Sequence, residues 1–116
     1  MTDLYPEEKR IQNYLFNIFK TISLKYGYEE IEPPILESAD IYKKSGQEIP
    51  QQMYTFKDLG GNSVTLRPEG TAGAARAYIE HGMRTLPQPV KMYYWGPMYR
   101  YERPQSGRFR EFYQFG

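Results

Sequence analysis

The sequence contains no cysteine, and it has only one histidine and one tryptophan. Without cysteine there can be no disulfide, no thiolate zinc site and no cysteine nucleophile. No run of about 18 apolar residues occurs, which argues against a membrane-spanning segment. The first eight residues lack the basic-then-apolar layout of a signal peptide. We therefore expect a cytoplasmic protein with no membrane partner.

The composition is that of a globular domain. Of 116 residues, 40% are hydrophobic and 25% are charged, and the aromatic share is high at 16%. A chain of this length normally forms one domain, so we expect a single domain over residues 1–116. Nine prolines and ten glycines argue against a purely helical bundle.

Charge is divided unevenly along the chain. Residues 1–83 carry nine basic and twelve acidic side chains, whereas residues 84–116 carry six basic and two acidic ones. Four of those six are arginines between positions 100 and 110. The guanidinium fork matches phosphate and carboxylate geometry, so this cluster favours an anionic ligand over the alternative of a merely solvated strand pair.

The first element is predicted to be a helix over residues 6–26. Pro6 suits the first helical position, acidic side chains follow in the first turn, and Gly27 can end the helix. Apolar residues recur at helical spacing; they are Ile11, Tyr14, Leu15, Ile18, Phe19 and Ile22. We expect Ile11, Leu15, Ile18 and Ile22 to pack against an antiparallel sheet.

Shorter elements follow, and helices beside antiparallel strands indicate an α+β fold, an antiparallel β-sheet flanked by helices. The predicted elements are a strand over 28–32, a short helix over 38–44, a hairpin of 53–57 with 63–67, a helix over 72–81 capped by Thr71, and a buried strand over 90–95.

Two alternating runs, 98–102 and 108–115, predict an antiparallel pair joined by the loop 103–107. Period-two alternation places the even-numbered residues of each strand on one face. If the two even faces coincide, a carboxylate, an amide, an aromatic ring and several guanidinium groups meet on one surface. These residues are Arg100, Glu102, Arg108, Arg110, Phe112 and Gln114.

Three segments, in order, resemble class II aminoacyl-tRNA synthetases, and histidyl-tRNA synthetases in particular. Residues 96–115, with Arg-x-Glu, Arg-Pro-Gln and Gly-Arg-x-Arg-x-Phe-x-Gln, resemble motif 2 of that family. Residues 65–73, Thr-Leu-Arg-Pro-Glu-Gly-Thr-Ala-Gly, resemble its histidine-binding loop, and residues 6–34 are similar to motif 1. The resemblance implies a partial class II catalytic core, because the chain stops after motif 2.

The resemblance also implies roles for individual residues. Arg100 would be catalytic, binding the ATP α-phosphate and the reacting carboxylate. Glu102, Arg108, Arg110 and Phe112 would complete the ATP site, with Phe112 stacked on adenine. The further implied contacts are Glu69, Gly70, Thr71 and Gln114 to histidine, and Arg103 and Gln105 to the tRNA acceptor end.

The implied function is ATP-dependent activation of histidine to histidyl-adenylate and its transfer to tRNA(His). The implied partners are L-histidine, ATP with Mg²⁺, tRNA(His) and a second copy of the chain bound through motif 1, with no metal held by protein side chains. Two alternatives remain: a non-catalytic histidine-binding paralogue, like the regulatory subunit of ATP phosphoribosyltransferase, and a dimerisation module. Individual residues also have structural alternatives: Arg100 and Glu102 as a surface ion pair, Phe112 in the core, and Glu69 at a helix N-terminus.

Overall fold

The computed structural model describes residues 2–46, 48–102 and 109–116. These residues form an α+β fold with helices α1 (Pro6–Lys25) and α2 (Thr71–Glu80). The strands are β1 (Glu29–Glu30), β2 (Leu36–Ser38), β3 (Tyr54–Lys57), β4 (Ser63–Leu66), β5 (Met92–Tyr93), β6 (Trp95–Tyr99) and β7 (Glu111–Phe115).

The strands pair in three groups. Strands β2, β4 and β3 form an antiparallel sheet in that order, β6 pairs antiparallel with β7, and β1 pairs parallel with β5. Backbone hydrogen bonds link the groups: the Tyr99 N–H donates to Arg67 O at 2.9 Å, and Tyr94 and Gly116 exchange two bonds at 2.9 and 3.1 Å. The predicted α+β class is confirmed, with one parallel pair added.

Helix α1 begins at Pro6 as predicted and ends one residue before the predicted end. Its first turn carries two glutamates and its last turn carries Lys25, which suits the helix dipole at both ends. Gly27 follows with a φ of 82°, a left-handed conformation that glycine adopts without strain.

The predicted buried face of α1 is wrong. The exposed fractions of Ile11, Leu15, Ile18 and Ile22 are 57%, 42%, 38% and 51%. Each of these side chains therefore keeps a large part of its surface in solvent, and the four form an apolar strip on the outside of the helix.

The face of α1 that meets the sheet carries aromatic rings instead. Phe16 and Phe19 lie 5.5 and 5.7 Å from Trp95, and Phe19 stacks on Phe115 with ring centroids 4.6 Å apart. Ser23, buried on the same face, donates its hydroxyl to Phe19 O at 2.7 Å. This face is turned by about 100°, one residue position, from the strip. The helix thus has two apolar faces, and the face with the large aromatic rings packs against the sheet.

The other predicted elements occur with altered bounds. The hairpin of β3 and β4 forms as expected, and the Asp58 carboxylate accepts the Asn62 N–H in its turn at 2.8 Å. The predicted helix at 38–44 is one 3-10 turn over Ala39–Tyr42, and the Ser38 hydroxyl caps it by accepting the Asp40 N–H. The predicted strand at 28–32 shortens to β1, and the strand at 90–95 is divided between β5 and the start of β6.

Among the helices of the described residues, none combines the length and the apolar character needed to cross a membrane.

Candidate functional site

The register of β6 and β7 brings even-numbered residues to one side of the pair. Gly96 lies opposite Gln114, and Met98 lies opposite Phe112. The Arg100 N–H continues the ladder beyond β6 by donating to a carbonyl before β7 at 2.9 Å. Because side chains alternate along a strand, this register places Arg100, Phe112 and Gln114 on the same face.

Arg100 is fixed at two points. Its Nε donates to Pro68 O at 2.8 Å, and its guanidinium carbon lies 5.2 Å from the centre of the Phe112 ring. Pro68 belongs to the loop that also carries Glu69. The guanidinium is therefore oriented by the backbone of that loop on one side and by an aromatic face on the other.

Glu69 caps helix α2. Its carboxylate accepts the backbone N–H groups of Thr71 at 2.5 Å and of Ala72 at 3.0 Å. The predicted cap at Thr71 is wrong: Thr71 is the first helical residue, Gly70 occupies the cap position, and the side chain of Glu69 supplies the acceptor. A carboxylate is favoured there because it faces the positive end of the helix dipole.

Gln114 is joined to the same loop. Its Oε1 accepts the Gly70 N–H at 2.9 Å and the Tyr94 hydroxyl at 3.3 Å. The Tyr94 hydroxyl also lies 3.3 Å from Thr71 Oγ1. One end of strand β7 is therefore held against the start of α2 by side chains.

A cavity of about 930 Å³ opens where these elements meet. Four predicted site residues line it together: Glu69, Thr71, Arg100 and Gln114. Its size is within the range of small-molecule sites. The remaining wall is formed by Ile41, Lys44, Ser45, Ile49, Ala72, Ala75, Arg76, Ile79 and Glu80.

Two further carboxylates are paired with Arg76: Glu80, which lines the cavity, and Glu37, which is not among its lining residues. Arg76 contacts Glu80 at 2.5 Å and the buried Glu37 at 2.9 Å. Tyr42, fully buried, lies close enough to Glu37 and Glu69 for both charges to act on it. Burial, reinforced by these two negative charges, raises the pKa of Tyr42, so its hydroxyl stays protonated.

The other predicted site residues do not line the cavity or lie outside the described residues. The Arg110 guanidinium packs 4.0 Å from the centre of the Tyr101 ring, and its Nε donates to Glu102 O at 3.1 Å. Neither Arg110, Glu102 nor Phe112 is among the residues that line the cavity. The predictions for Arg103, Gln105 and Arg108 fall outside the described residues.

Sequence reasoning missed Arg67, which lies behind the site with 3% of its surface exposed. Its Nε donates to Pro97 O at 2.9 Å and its terminal nitrogen to Pro33 O at 2.6 Å. A side chain at Gly96 would approach this guanidinium to 2.4 Å, so the site needs glycine there. Arg67 thereby ties β6 to the Pro33 segment. Its place inside the Leu-Arg-Pro-Glu-Gly-Thr motif was the available signal.

Comparison with known proteins gives consistent matches over the whole chain. The sequence model of the histidyl-tRNA synthetase family matches residues 1–116. The histidine–tRNA ligase of Desulforamulus reducens is 47% identical over 118 residues, and that of Staphylococcus aureus strain JH9 is 49% identical over 119 residues. Each match covers 98% of this chain and 28% of the relative.

Solved structures agree in fold. The apo histidyl-tRNA synthetase of S. aureus superposes with a TM-score of 0.83 and 44% identity, covering 99% of this chain and 30% of that one. A Bacillus halodurans protein described as an ATP phosphoribosyltransferase regulatory subunit/histidyl-tRNA synthetase also gives 0.83, at 26% identity and 29% of its length. The chain thus spans less than a third of the relatives that it matches.

Proposed function

Since the chain belongs to the histidyl-tRNA synthetase family, we propose that it supplies part of the active site of a ligase. This ligase activates histidine with ATP and transfers it to tRNA(His). The observation that supports this most directly is the meeting of Arg100 with Glu69, Thr71 and Gln114 in one cavity. In one cavity, a guanidinium can bind a phosphate and a carboxylate can bind the ammonium group of an amino acid.

Arg100 would act on the first step, adenylate formation. A carboxylate oxygen of histidine attacks the α-phosphorus of ATP, a new P–O bond forms, and the bond to the β-phosphate breaks with release of pyrophosphate. Negative charge accumulates on the phosphoryl oxygens in the transition state. A guanidinium already held by Pro68 O and the Phe112 ring would stabilise that charge without reorganising.

Glu69 and Thr71 would bind the α-ammonium group of histidine. The Glu69 carboxylate is held in place by two backbone N–H groups, and its side chain faces the cavity. An ammonium group bound there would gain a charge-assisted hydrogen bond. Gln114 would line the same pocket, with Gly70 holding its oxygen.

The rest of the proposal extends the family resemblance. Phe112 would stack on adenine, Glu102 and Arg110 would lie on the nucleotide side, and Arg108 would bind the distal phosphates of ATP with its Mg²⁺. Arg103 and Gln105 would contact the acceptor end of tRNA(His).

We also propose that the chain forms a homodimer in the cytoplasm through the motif 1 region. The apolar strip on the outside of α1 supports this proposal, because four large aliphatic side chains there are 38–57% exposed. Strips of this kind are typical of association surfaces.

A second function has specific support. The B. halodurans neighbour has a regulatory subunit in its description and a fold as close as that of the S. aureus enzyme. A paralogue of that type would bind histidine without activating it. Arg100 favours the ligase, because histidine binding alone does not require a cation at the α-phosphate position.

A chimera separates the two functions. Residues 1–116 replace the matching segment of the S. aureus ligase, and histidine-dependent exchange of pyrophosphate into ATP is measured, with Arg100→Ala as the matched variant. We expect exchange in the chimera and its loss by at least about a hundredfold in the variant. Histidine binding without any exchange would support the regulatory function and contradict the ligase.

A further inference from the structure

Tyr94 lies beside the proposed ammonium site without lining the cavity. Its hydroxyl contacts Thr71 Oγ1 and Gln114 Oε1, each at 3.3 Å. We infer that Tyr94 is a positioning residue that fixes the Thr71 hydroxyl as a hydrogen-bond acceptor, so that the cavity selects ligands with an α-ammonium group. This inference rests on the proposed function and extends it to a residue outside the motifs.

The direction of the hydrogen bonds follows from the chemistry of their ends. A backbone N–H can only donate, so the Gln114 atom 2.9 Å from the Gly70 nitrogen must be the amide oxygen. That oxygen can only accept, so the Tyr94 hydroxyl donates its one hydrogen to it. In the contact between Tyr94 and Thr71, the Thr71 hydroxyl must therefore be the donor and the Tyr94 oxygen the acceptor.

The result is a chain of bonds with one polarity. Thr71 donates to Tyr94, Tyr94 donates to Gln114, and Gly70 donates to the same oxygen from the other side. The lone pairs of Thr71 Oγ1 remain for a ligand in the cavity that Thr71 lines. An oxygen that presents only lone pairs suits an ammonium group, which has donors and no acceptor.

Two glycines leave the space that the Tyr94 ring occupies. A side chain at Gly70 would approach ring carbon Cε2 to 2.2 Å, and one at Gly116 would approach the hydroxyl oxygen to 2.4 Å. The φ of Gly70 is −103°, which any residue adopts, so the backbone conformation does not require glycine there. The requirement at Gly70 comes from the tyrosine ring.

The test compares two ligands on this chain by titration monitored with ¹⁵N NMR, which measures dissociation constants into the millimolar range. Histidine carries the α-ammonium group, and imidazolepropionate is the same molecule without it. Tyr94→Phe removes only the hydroxyl. Tyr78→Phe is the matched control, because it removes a hydroxyl that bonds Gln88, and neither residue lines the cavity.

For Tyr94→Phe we expect the dissociation constant of histidine to rise about five- to tenfold, while that of imidazolepropionate changes less than about twofold. Tyr78→Phe should leave both constants unchanged. A Tyr94→Phe variant that keeps the parent's preference for histidine overturns the inference while the proposed function stands. A parent chain that does not prefer histidine to imidazolepropionate overturns both.

A double-mutant cycle keeps the result interpretable if Tyr94→Phe loosens the fold, which the dispersion of the same spectra would reveal. Thr71→Val removes the acceptor itself. We expect Tyr94→Phe combined with Thr71→Val to bind histidine no more weakly than Thr71→Val alone, since Tyr94 acts through Thr71. Additive losses would mean that Tyr94 acts independently, which contradicts the inference.

Discussion

Phe19 of helix α1 stacks on Phe115 of strand β7, with ring centroids 4.6 Å apart and planes inclined by 16°. Phe115 directly follows Gln114, which lines the cavity. The contact that seats the helix on the sheet is therefore one residue from the candidate site.

This contact predicts which substitutions in α1 affect stability. Phe19→Ala should lower the free energy of unfolding by about 2 kcal/mol, less than for a fully buried phenylalanine because Phe19 is half-buried. Ile18→Ala, its neighbour on the exposed strip, should change the free energy by less than about 0.5 kcal/mol. Urea denaturation of both variants measures the difference, and equal losses would contradict the assignment of the two faces.

The exposed strip predicts self-association. Leu15→Glu places a charge at the middle of the strip, where Leu15 is 42% exposed, so the monomer should tolerate it. We expect sedimentation equilibrium to show a dimer for the parent chain and a monomer for this variant, because burying an unpaired carboxylate in an interface is costly. Asn13→Glu, also exposed on α1, serves as the control for added charge. A parent that stays monomeric at high concentration would refute the proposed dimer.

We expect a large loss of stability when the buried Arg67 is replaced by an uncharged side chain of similar length. Arg67→Met removes the hydrogen bonds to Pro97 O and Pro33 O, which leaves both carbonyls without their donors. We expect a loss of roughly 3 kcal/mol in unfolding free energy. Arg84→Met, at an exposed position, should cost less than about 0.5 kcal/mol. Similar values for the two would show that the buried guanidinium contributes little.

Arg100 predicts a distinction between arginine and lysine in nucleotide binding. A lysine cannot both bond Pro68 O and present a planar fork to a phosphate. Arg100→Lys should therefore weaken ATP binding nearly as much as Arg100→Ala, by about ten- to a hundredfold in calorimetry. If the lysine variant binds ATP like the parent while the alanine variant does not, a point charge is sufficient for binding. The proposal that the guanidinium fork binds the phosphate would then be wrong.

Because the pKa of Tyr99 is raised, we expect the protein to lose stability at alkaline pH. Burial, together with Glu111 on the neighbouring strand, raises the pKa of Tyr99 to about 12. An unfolded tyrosine ionises near about pH 10, so the contribution of Tyr99 is complete below that pH and is lost as the pH rises toward 12. Tyr99→Phe should flatten the fall in thermal midpoint between about pH 10 and 12, whereas Tyr14→Phe, on the exposed face of α1, should not. Parallel curves for Tyr99→Phe and the parent would contradict this.

Local signals explain what the sequence predicted correctly. Pro6 and Gly27 bound α1, the glycines at 60 and 61 mark the turn between β3 and β4, and alternation sets the faces of β6 and β7. Each of these features depends on residues close in the chain.

What the sequence did not reveal depends on competition between distant groups. Both faces of α1 are apolar, so periodicity alone does not show which face packs against the sheet. The choice depends on Trp95 and Phe115, which are distant in the chain and contact the aromatic face. Arginine is rarely buried, and the acceptors that allow it at Arg67 lie 30 and 34 positions away. The acceptor that caps α2 comes from Glu69 and not from Thr71, because the longer Glu69 side chain reaches two backbone N–H groups.

The two apolar faces of α1 have a consequence for communication between subunits. The strip and the aromatic face lie about 100° apart around α1, so a partner bound on the strip would contact the same helical turns that carry Phe16 and Phe19. Phe19 touches Phe115, which is next to Gln114, and both Phe16 and Phe19 contact Trp95. A shift of α1 caused by a bound partner would thus reach the wall of the cavity through these aromatic contacts.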